Sequence, residues 1–488
     1  MKKNILQDIS ASTFQVVINQ AFGLFVFIIT SRYLQKEAFG EMNWSLAVLT
    51  FISTILSLRL EQIVVRKVAA GDDASKMLTL FAGHSFFAGI LFYGLLLIAH
   101  FIFPVFFSSH NLLLILAISQ LISFFSLPYK QIANGREQFG LLAIMSSVAN
   151  IVKLAGLAAC MIWSVLTIEE VVLVYIIAAT CELLVCMYII HVRLHVHISS
   201  MYTFKDYLSL LHESLPQLGM VALNAAIARF DWILLGIFST AIITAEYSFA
   251  YKVFELCPLP MLILGPVLLS RFSKYFSTNA EASLSGKKKE IGFYIRCAML
   301  AATFLPLILN ISWVPLADLL SNGKYGAVNK TTFLLLSLSL PFQYMNNLLW
   351  TIEFSQNRLG LIFRITAITC AVIVVGDFLM IPGFHAKGAA IIYLLATIVE
   401  YLVYLRYSFI ARFKESWQPL LLFTGAAVLA GIGAMRLGDN ISAQLIIAVL
   451  LYGALLPLTG MVQKADLLII RDLLHHSSPK AKSAQLVP

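Results

Sequence analysis

The stretch from Leu223 to Arg271 reads LNAAIARFDWILLGIFSTAIITAEYSFAYKVFELCPLPMLILGPVLLSR, two apolar spans with four charged side chains inside them. The charged residues embedded in the spans are Arg229, Asp231, Lys252 and Glu255, whereas Glu246 and Arg271 flank the second of the two spans. A charge placed against lipid tails costs about 2.5–3.5 kcal/mol at the centre of a spanning helix, so these side chains are expected to face protein or a water-filled cavity. The stretch therefore predicts a polar path through a membrane. The alternative is a set of buried ion pairs that only lock helices together.

The composition is that of an all-α polytopic membrane protein. Of the 488 residues, 60% are hydrophobic and 12% are charged, and the mean hydropathy is +0.86. Soluble domains contain about 25% charged residues. The net charge of +9 comes mostly from short loops between apolar runs, where Lys and Arg orient a chain in the membrane, so no nucleic-acid partner is expected. The six cysteines lie inside apolar runs, which argues against a disulfide or zinc framework.

Apolar runs long enough to cross about 30 Å of hydrocarbon number about fourteen. The first run has no small-residue cleavage pattern and is expected to stay as the first span. Few loops exceed about 20 residues, so no soluble catalytic domain is expected on either side. About 25 Lys and Arg residues fall on the side of the N-terminus and about 6 on the other side, an asymmetry that predicts two cytoplasmic termini.

Two repeated residue spacings, both weak signals, predict an internal repeat. Glu41 and Arg66 flank the second span at the same separation as Glu246 and Arg271 flank the eighth. Gly140 and Gly156 have the same spacing as Gly360 and Gly376. These repeated spacings predict two pseudo-symmetric six-helix lobes and an extra C-terminal helix pair. The predicted segments are an N-terminal lobe at 1–195, a cytoplasmic linker at 196–213, a second lobe at 214–410, the helix pair at 411–463 and a cytoplasmic tail at 464–488.

Motifs for catalysis, cofactors and ATP hydrolysis are missing from the sequence. No G-x-x-x-x-G-K-[ST] loop, G-x-S-x-G elbow or HExxH motif occurs. We therefore expect no enzyme, no cofactor and no ATP hydrolysis by this chain. His191, His195 and His197 have a spacing that can ligate a metal, but no carboxylate or thiol lies among them, so a segment at the membrane surface is the preferred interpretation.

Three segments resemble a known family of membrane carriers. The segment Ile29–Ala69, with its RYL-x-x-E-x-FG pattern and distal V-x-R, is similar to the opening of the Wzx-type oligosaccharide flippases, polysaccharide transporters of the MATE-like MOP superfamily. Segments Ala228–Glu255 and Gln356–Tyr401 resemble later spans of the same family. This chain departs from the family at Gln35, where a glycine is common, and at Asp377, where an uncharged polar residue is more usual.

The resemblance implies a MATE-like fold and a flippase of the bacterial inner membrane. Such a carrier moves a polyprenyl-diphosphate-linked oligosaccharide, the repeat unit of a surface polysaccharide such as an O-antigen, by alternating access of two lobes. The partners that it implies are membrane lipids and the polymerase and glycosyltransferases of the same pathway. A diphosphate cannot cross hydrocarbon unaided, and Arg or Lys supplies charge-assisted hydrogen bonds to phosphate.

The candidate cargo-binding residues are therefore cations. Three lie at membrane depth, namely Lys153, Arg229 and Lys252, and four lie nearer the ends of spans, namely Arg32, Arg59, Arg66 and Arg271. At about 100° per residue, Lys252 and Glu255 share one helix face, whereas Arg229 and Asp231 diverge by about 200°. We therefore expect that either Arg229 or Asp231 points into a cavity while the other packs against a neighbouring helix.

Carboxyl groups inside the spans are candidates for binding a coupling ion or neutralising the cations. They are Asp231, Glu255, Glu182, Asp377 and Glu400.

Other functions remain open at this point. An ion-coupled small-molecule exporter of the MATE type is the main alternative, although an exporter of organic cations needs a cavity dominated by carboxylates. A lipid II flippase is a closer relative, with a similar number of spans. A membrane polymerase or ligase would need a larger external loop than the short one near Pro315–Lys330.

The charge asymmetry generates a first prediction, on topology. In a variant that lacks the natural cysteines, Ser285→Cys should not react with a membrane-impermeant thiol reagent in intact cells, because the loop from Arg271 to Arg296 is expected to be cytoplasmic. The same cysteine should react once the cells are opened. Labelling in intact cells would show that the predicted orientation is inverted.

Overall fold

The computed structural model describes residues 19–163, 166–199, 203–277, 284–408, 411 and 414–460. Every regular element in these residues is helical, with no strand among them, so the predicted all-α fold class is confirmed. The predicted tail at 464–488 lies outside the described residues.

The helices are numbered in chain order, and α1 denotes the helical residues 19–33. In the first half follow α2 Lys36–Leu56, α3 Leu60–Ala69, α4 Ala74–Ile102, α5 Pro104–Ser109, α6 Leu112–Gly135, α7 Phe139–Trp163 and α8 Ile168–Tyr188, with a π-helical turn Ile189–Arg193. In the second half follow α9 Phe204–Phe238, α10 Ala241–Phe254, α11 Leu259–Ser277, α12 Leu284–Ser321, α13 Lys330–Leu338, α14 Leu340–Ser355, α15 Leu359–Tyr407, α16 Lys414–Leu437 and α17 Ile441–Leu458.

Ten helices in the described part of the chain are long and apolar enough to cross a membrane, so the chain is a multi-pass membrane protein. The sequence predicted about fourteen spans, and the count of fourteen stays a prediction. The difference between ten and about fourteen has two causes: breaks inside predicted spans, and a first span that is described only in part. Helix α15 holds two predicted spans joined at His385, whose backbone is not helical. Two other predicted spans are each divided between shorter helices, α10 with α11 and α13 with α14, and the first is described only from residue 19.

Short polar signals in the sequence start several of these helices. Thr167 and Glu170 form a capping box at α8, and Thr203 and Asp206 form another at α9. Because α9 begins at Phe204, the second part of the predicted linker is helical. The turn before α3 uses the left-handed conformation at Leu58 and Arg59, without a glycine.

The described residues fall into two compact units. The first contains those within Met1–Leu256, Pro315–Leu335 and Thr366–Ala396, and the second those within Cys257–Val314, Leu336–Ile365 and Thr397–Pro488. The predicted six-helix lobes stay a prediction. In the first unit, α2 packs against α9 and α10.

Two glycines allow α2 to approach its neighbours closely. A Cβ added at Gly40 of α2 would lie 1.8 Å from the carbonyl oxygen of Ala241 at the start of α10. A Cβ added at Gly236 of α9 would lie 1.9 Å from the indole of Trp44, and the Nε1–H of Trp44 donates to the carbonyl oxygen of Ile233 at 3.1 Å. A side chain at either glycine would have to separate two helices.

This packing generates a second prediction. Gly40→Val should lower the apparent melting temperature of the detergent-purified protein, because overpacking at a backbone contact costs about 1–3 kcal/mol. Gly83→Val is the matched control, since a Cβ at Gly83 of α4 would meet nothing within 4 Å. Equal melting temperatures for the two variants would contradict the close contact between α2 and α10.

Candidate functional site

A cavity of about 190 Å³ in the first unit is lined by residues of α1, α2, α8, α9 and α10, and by Glu255 directly after α10. The predicted cations Arg229 and Lys252 both line it. With a rise of about 1.5 Å per residue, Arg229 lies about 14 Å from the end of α9 and Lys252 about 16 Å from the start of α10, which is membrane depth. The other lining residues are Gly23, Val26, Phe27, Thr30, Met42, Asn43, Leu46, Ala47, Thr50, Tyr175, Trp232 and Glu255.

One carboxylate serves both cations of the cavity. The Lys252 Nζ lies 2.8 Å from Glu255 Oε2, and the Arg229 Nη2 lies 3.8 Å from Glu255 Oε1. The guanidinium of Arg229 also lies over the ring of Trp232, 5.5 Å from its centroid. Two cations and one carboxylate leave the cluster with a net positive charge. An anion entering the cavity would therefore find partners that are only partly neutralised.

Glu255 lies at the end of α10, directly before a break in the helical chain. Helix α10 ends at Phe254, and residues 255–258 form turns that end at Pro258, which has no N–H to continue a helix. Because Glu255 keeps helical backbone angles, it lies one turn beyond Lys252 on the same face, where it also reaches Arg229. Discontinuous helices at membrane depth form binding sites in many transporters.

Asp231 points away from the cavity cluster. Its side chain is buried between α9 and α10, where it accepts a hydrogen bond of 2.5 Å from the Tyr247 hydroxyl and one of 2.8 Å from the backbone N–H of Trp232. The structure thus directs Arg229 to the cavity and Asp231 to a neighbouring helix. Only one of the two lies in the cavity, which is what their spacing on the helix required.

Asp377 is a second buried carboxyl in the same unit. It is 1% exposed in α15, and within the described part of the chain neither of its oxygens has a hydrogen-bond partner. It is close enough to Asp231 and Tyr247 to interact with both electrostatically. The next residue, Phe378, packs on Phe230 of α9, with ring centroids 5.7 Å apart. Two carboxyl groups therefore share one region of the unit, where burial favours the protonated form of Asp377 unless a cation binds beside it.

The other predicted carboxyl groups have partners. Glu182 of α8 is buried and forms an ion pair with Lys130 of α6. Glu400 of α15, in the second unit, accepts a hydrogen bond from the Asn346 side chain at 3.1 Å. These contacts hold helices of the same unit together.

The remaining predicted cations do not line this cavity, and their role in cargo binding stays a prediction. They are Arg32, Arg59, Arg66, Lys153 and Arg271. Arg32 is exposed and donates to the carbonyl oxygen of Leu319, and Arg66 is an exposed partner of Glu213. Arg59 lies in the left-handed turn before α3, and Arg271 contacts the hydroxyl of Tyr294 in the second unit. Lys153 lies over the ring of Tyr175, one of the cavity residues.

Several cavity residues were not singled out from the sequence. Asn43, Tyr175 and Trp232 line the cavity beside the charged cluster. Single polar or aromatic side chains in apolar helices are common, so no spacing in the sequence distinguished these three from packing residues. The histidine segment also gives no metal site, since no group of three or more His, Cys, Asp or Glu side chains in the described ranges can hold a metal.

Four aromatic rings close one end of the first unit next to the cavity. This aromatic plug consists of Phe27, Phe39, Phe249 and Tyr325, all buried. Ring centroids are 4.8 Å apart for Phe249 and Tyr325 and 5.1 Å apart for Phe27 and Phe39. Phe27 also lines the cavity, so the plug and the cavity share a wall.

Polar contacts hold the same end. The Nζ of Lys324 donates to the carbonyl oxygens of Arg32 and Leu34, both at 2.7 Å, where α1 ends. Burial, together with the nearby charge of Lys36, lowers the pKa of Lys324. Lys36 itself pairs with Glu246 of α10 at 3.1 Å. These contacts join the segment between α12 and α13 to α1, α2 and α10.

Comparison with known proteins places the chain in a family and a fold. The sequence matches the model of the family described as polysaccharide biosynthesis protein over residues 5–276, more than half of the chain. No curated protein gives a significant match in sequence.

Solved structures share the fold across most of the chain. A lipid II flippase MurJ in an inward closed conformation matches with a TM-score of 0.71 at 13% identity, over 95% of this chain and 99% of that one. An inward-facing multidrug resistance MATE family transporter of the MOP superfamily gives 0.63 at 14% identity, over 81% and 96%. A mutant of the MATE transporter VcmN from Vibrio cholerae gives 0.56 at 14% identity, over 84% and 98%. The predicted MATE-like fold is confirmed, and the expectation of a carrier, not an enzyme, agrees with this family and fold.

The unpartnered carboxyl generates a third prediction. Asp377→Asn should raise the apparent melting temperature of the purified protein by a few degrees in buffer of neutral pH, because it removes a charge whose burial is not compensated, at a cost of about 1–3 kcal/mol. Asp231→Asn is the matched control and should lower it, since Asp231 accepts two hydrogen bonds. A lower melting temperature for Asp377→Asn would show that this carboxyl has a stabilising partner.

Proposed function

Because the chain belongs to the polysaccharide biosynthesis protein family, we propose that it is a flippase for a polyprenyl-diphosphate-linked oligosaccharide. The cargo would move across the bacterial inner membrane for assembly into a surface polysaccharide such as an O-antigen. Glycosyltransferases that build the repeat unit and a polymerase that consumes it would be its pathway partners. The opening motif of Ile29–Ala69 supports the same family from the sequence.

The observation that carries the proposal is the cluster of Arg229, Lys252 and Glu255 in the cavity. A diphosphate needs cationic partners inside an otherwise apolar body, and a guanidinium and an ammonium side by side provide them through charge-assisted hydrogen bonds. Within the cavity, Glu255 contacts both cations, at 2.8 and 3.8 Å. The diphosphate would take over these contacts, so the cations never face the membrane without a partner.

We propose that transport proceeds by alternating access with both termini in the cytoplasm. In that orientation, the end held by Lys324 and Tyr325 faces outward and is closed. Cargo would enter from the cytoplasmic side and reach Arg229 and Lys252. Release would require that the aromatic plug opens, which breaks the contacts of Lys324 with the end of α1.

Asp377 and Asp231 are the carboxyl groups that we propose for ion coupling. Asp377 lacks a hydrogen-bond partner among the described residues, and Asp231 interacts with it electrostatically. A proton or sodium ion bound at Asp377 would remove the charge repulsion between the two carboxyl groups and favour one arrangement of α9 and α15 over another. Glu255 would take part indirectly, through the cations that it neutralises. Glu182 and Glu400 are less suited to coupling, because Lys130 and Asn346 already occupy them.

The alternative of a MATE-type exporter for small organic cations fits the cavity less well. Its charged side chains are two cations and one carboxylate, which repel a cationic substrate. A lipid II flippase would carry a cargo with the same diphosphate chemistry, so the transport assay below includes lipid II as a second cargo.

The cavity cluster generates a fourth prediction. Arg229→Gln and Lys252→Gln should each slow the flipping of a fluorescent polyprenyl-diphosphate oligosaccharide in reconstituted vesicles at least about tenfold, because each removes a charge-assisted contact to phosphate. Wild-type flipping is measured for this cargo and for fluorescent lipid II, with and without proton and sodium gradients.

The matched control is Arg436→Gln, which removes an exposed cation at the end of α16 and should flip cargo at the wild-type rate. Wild-type rates in both cavity variants would refute the cation cluster as the diphosphate site. Faster flipping of lipid II than of the oligosaccharide would assign the chain to the alternative cargo.

A further inference from the structure

We propose that Tyr175 is a further cargo-contacting residue, whose hydroxyl donates to a phosphate oxygen of the diphosphate, and that Lys153 is a positioning residue that acts through the Tyr175 ring. The proposal rests on the proposed function and adds to the site formed by Arg229, Lys252 and Glu255. It also gives Lys153 a role that differs from direct contact with cargo.

The geometry places a cation directly behind the cavity wall. Tyr175 lies on α8 and is one of the cavity-lining residues, whereas Lys153 on α7 is not. The Nζ of Lys153 lies 4.2 Å from the centroid of the Tyr175 ring, well within the range of a cation–π contact. Lys153 therefore reaches the cavity through an aromatic ring.

The charges behind this ring do not cancel. Lys130 forms an ion pair with buried Glu182, and Lys153 interacts electrostatically with both residues. Two ammonium groups and one carboxylate thus lie together among α6, α7 and α8. The excess positive charge lies next to the face of Tyr175, in a region of low dielectric where its field reaches the cavity with little screening.

The Tyr175 hydroxyl is available for a ligand. In the part of the chain that the structure describes, it has no hydrogen-bond partner, although the residue is 92% buried. Its depth, about 10 Å along α8 from the first residue, is comparable to that of Arg229 in α9. A cation over the ring withdraws electron density from the phenol, which makes its O–H a stronger donor to an anionic oxygen.

A purely structural role for Lys153 and a role in cargo binding predict different effects when the charge of Lys153 is removed. If Lys153 only packs against Tyr175, then removing its charge weakens the fold by the same amount whether or not position 175 has a hydroxyl. If it acts through the phenol, then the charge matters for cargo only while the hydroxyl is present. A double-mutant cycle separates the two.

The test is this cycle, measured as the dissociation constant of a fluorescent polyprenyl-diphosphate oligosaccharide in nanodiscs that contain the full chain. The variants are Tyr175→Phe, which keeps the ring, Lys153→Met, which keeps the length of the side chain, and the double variant. Tyr175→Phe should bind about tenfold more weakly, the loss of one hydrogen bond to a charged group. Lys153→Met should bind more weakly by a smaller factor, and the double variant no more weakly than Tyr175→Phe. Lys153→Arg should restore most of the affinity, because a guanidinium also binds over an aromatic ring.

A second probe identifies the atom that Tyr175 contacts. The sugar-free polyprenyl diphosphate should show the same loss for Tyr175→Phe as the full cargo, because the contact is to phosphate. A loss confined to the sugar-bearing cargo would overturn the assignment to phosphate. Additive losses for Tyr175→Phe and Lys153→Met would overturn the action of Lys153 through the phenol.

The outcome also separates this inference from the proposed function. If the wild type and Tyr175→Phe bind equally while Arg229→Gln binds weakly, only the inference about Tyr175 fails. If the wild type binds neither polyprenyl diphosphate nor its oligosaccharide, the proposed function fails with it. Melting temperatures of all variants, measured without cargo, exclude a loss of fold as the cause of weaker binding.

Discussion

A charged side chain inside a bundle that spans hydrocarbon must be matched by an opposite charge, by hydrogen bonds or by water. Glu255 meets this requirement for Arg229 and Lys252 at the same time. Glu255 follows Lys252 by one helical turn, and Arg229 of α9 approaches the same carboxylate. Because the match is incomplete, the cavity keeps a positive charge that an anionic headgroup can use.

The same requirement separates structural charges from functional ones elsewhere in the chain. Lys130 and Glu182 neutralise each other, and the carboxylate of Asp231 is satisfied by the Tyr247 hydroxyl and a backbone N–H. Asp377 and Lys153 are different, since neither has an oppositely charged side chain in direct contact among the described residues. A charge without a direct counter-charge is costly in such surroundings. Binding of a ligand or an ion of opposite charge would lower that cost, so these positions are candidates for a functional role.

The closed end of the first unit uses another kind of contact. The rings of the aromatic plug exclude water next to the cavity, and the ammonium of Lys324 satisfies the carbonyl groups that are free where α1 ends. Phe27 belongs to the plug and to the cavity wall at once. The cavity and the plug are therefore in direct contact through this one ring.

The sequence by itself determined the membrane class, the helical fold and the family, because hydropathy and charge are sums over local residues and the opening motif is contiguous. It also determined that Lys252 and Glu255 share a face and that Arg229 and Asp231 cannot, since helical periodicity fixes these angles. Only the tertiary structure decided that Arg229, and not Asp231, lines the cavity. It also decided that Lys153 lies behind Tyr175 and that Lys130 pairs with Glu182. These outcomes depend on which helices become neighbours, and the spacing of residues along one helix contains no information about the partner that its faces will meet.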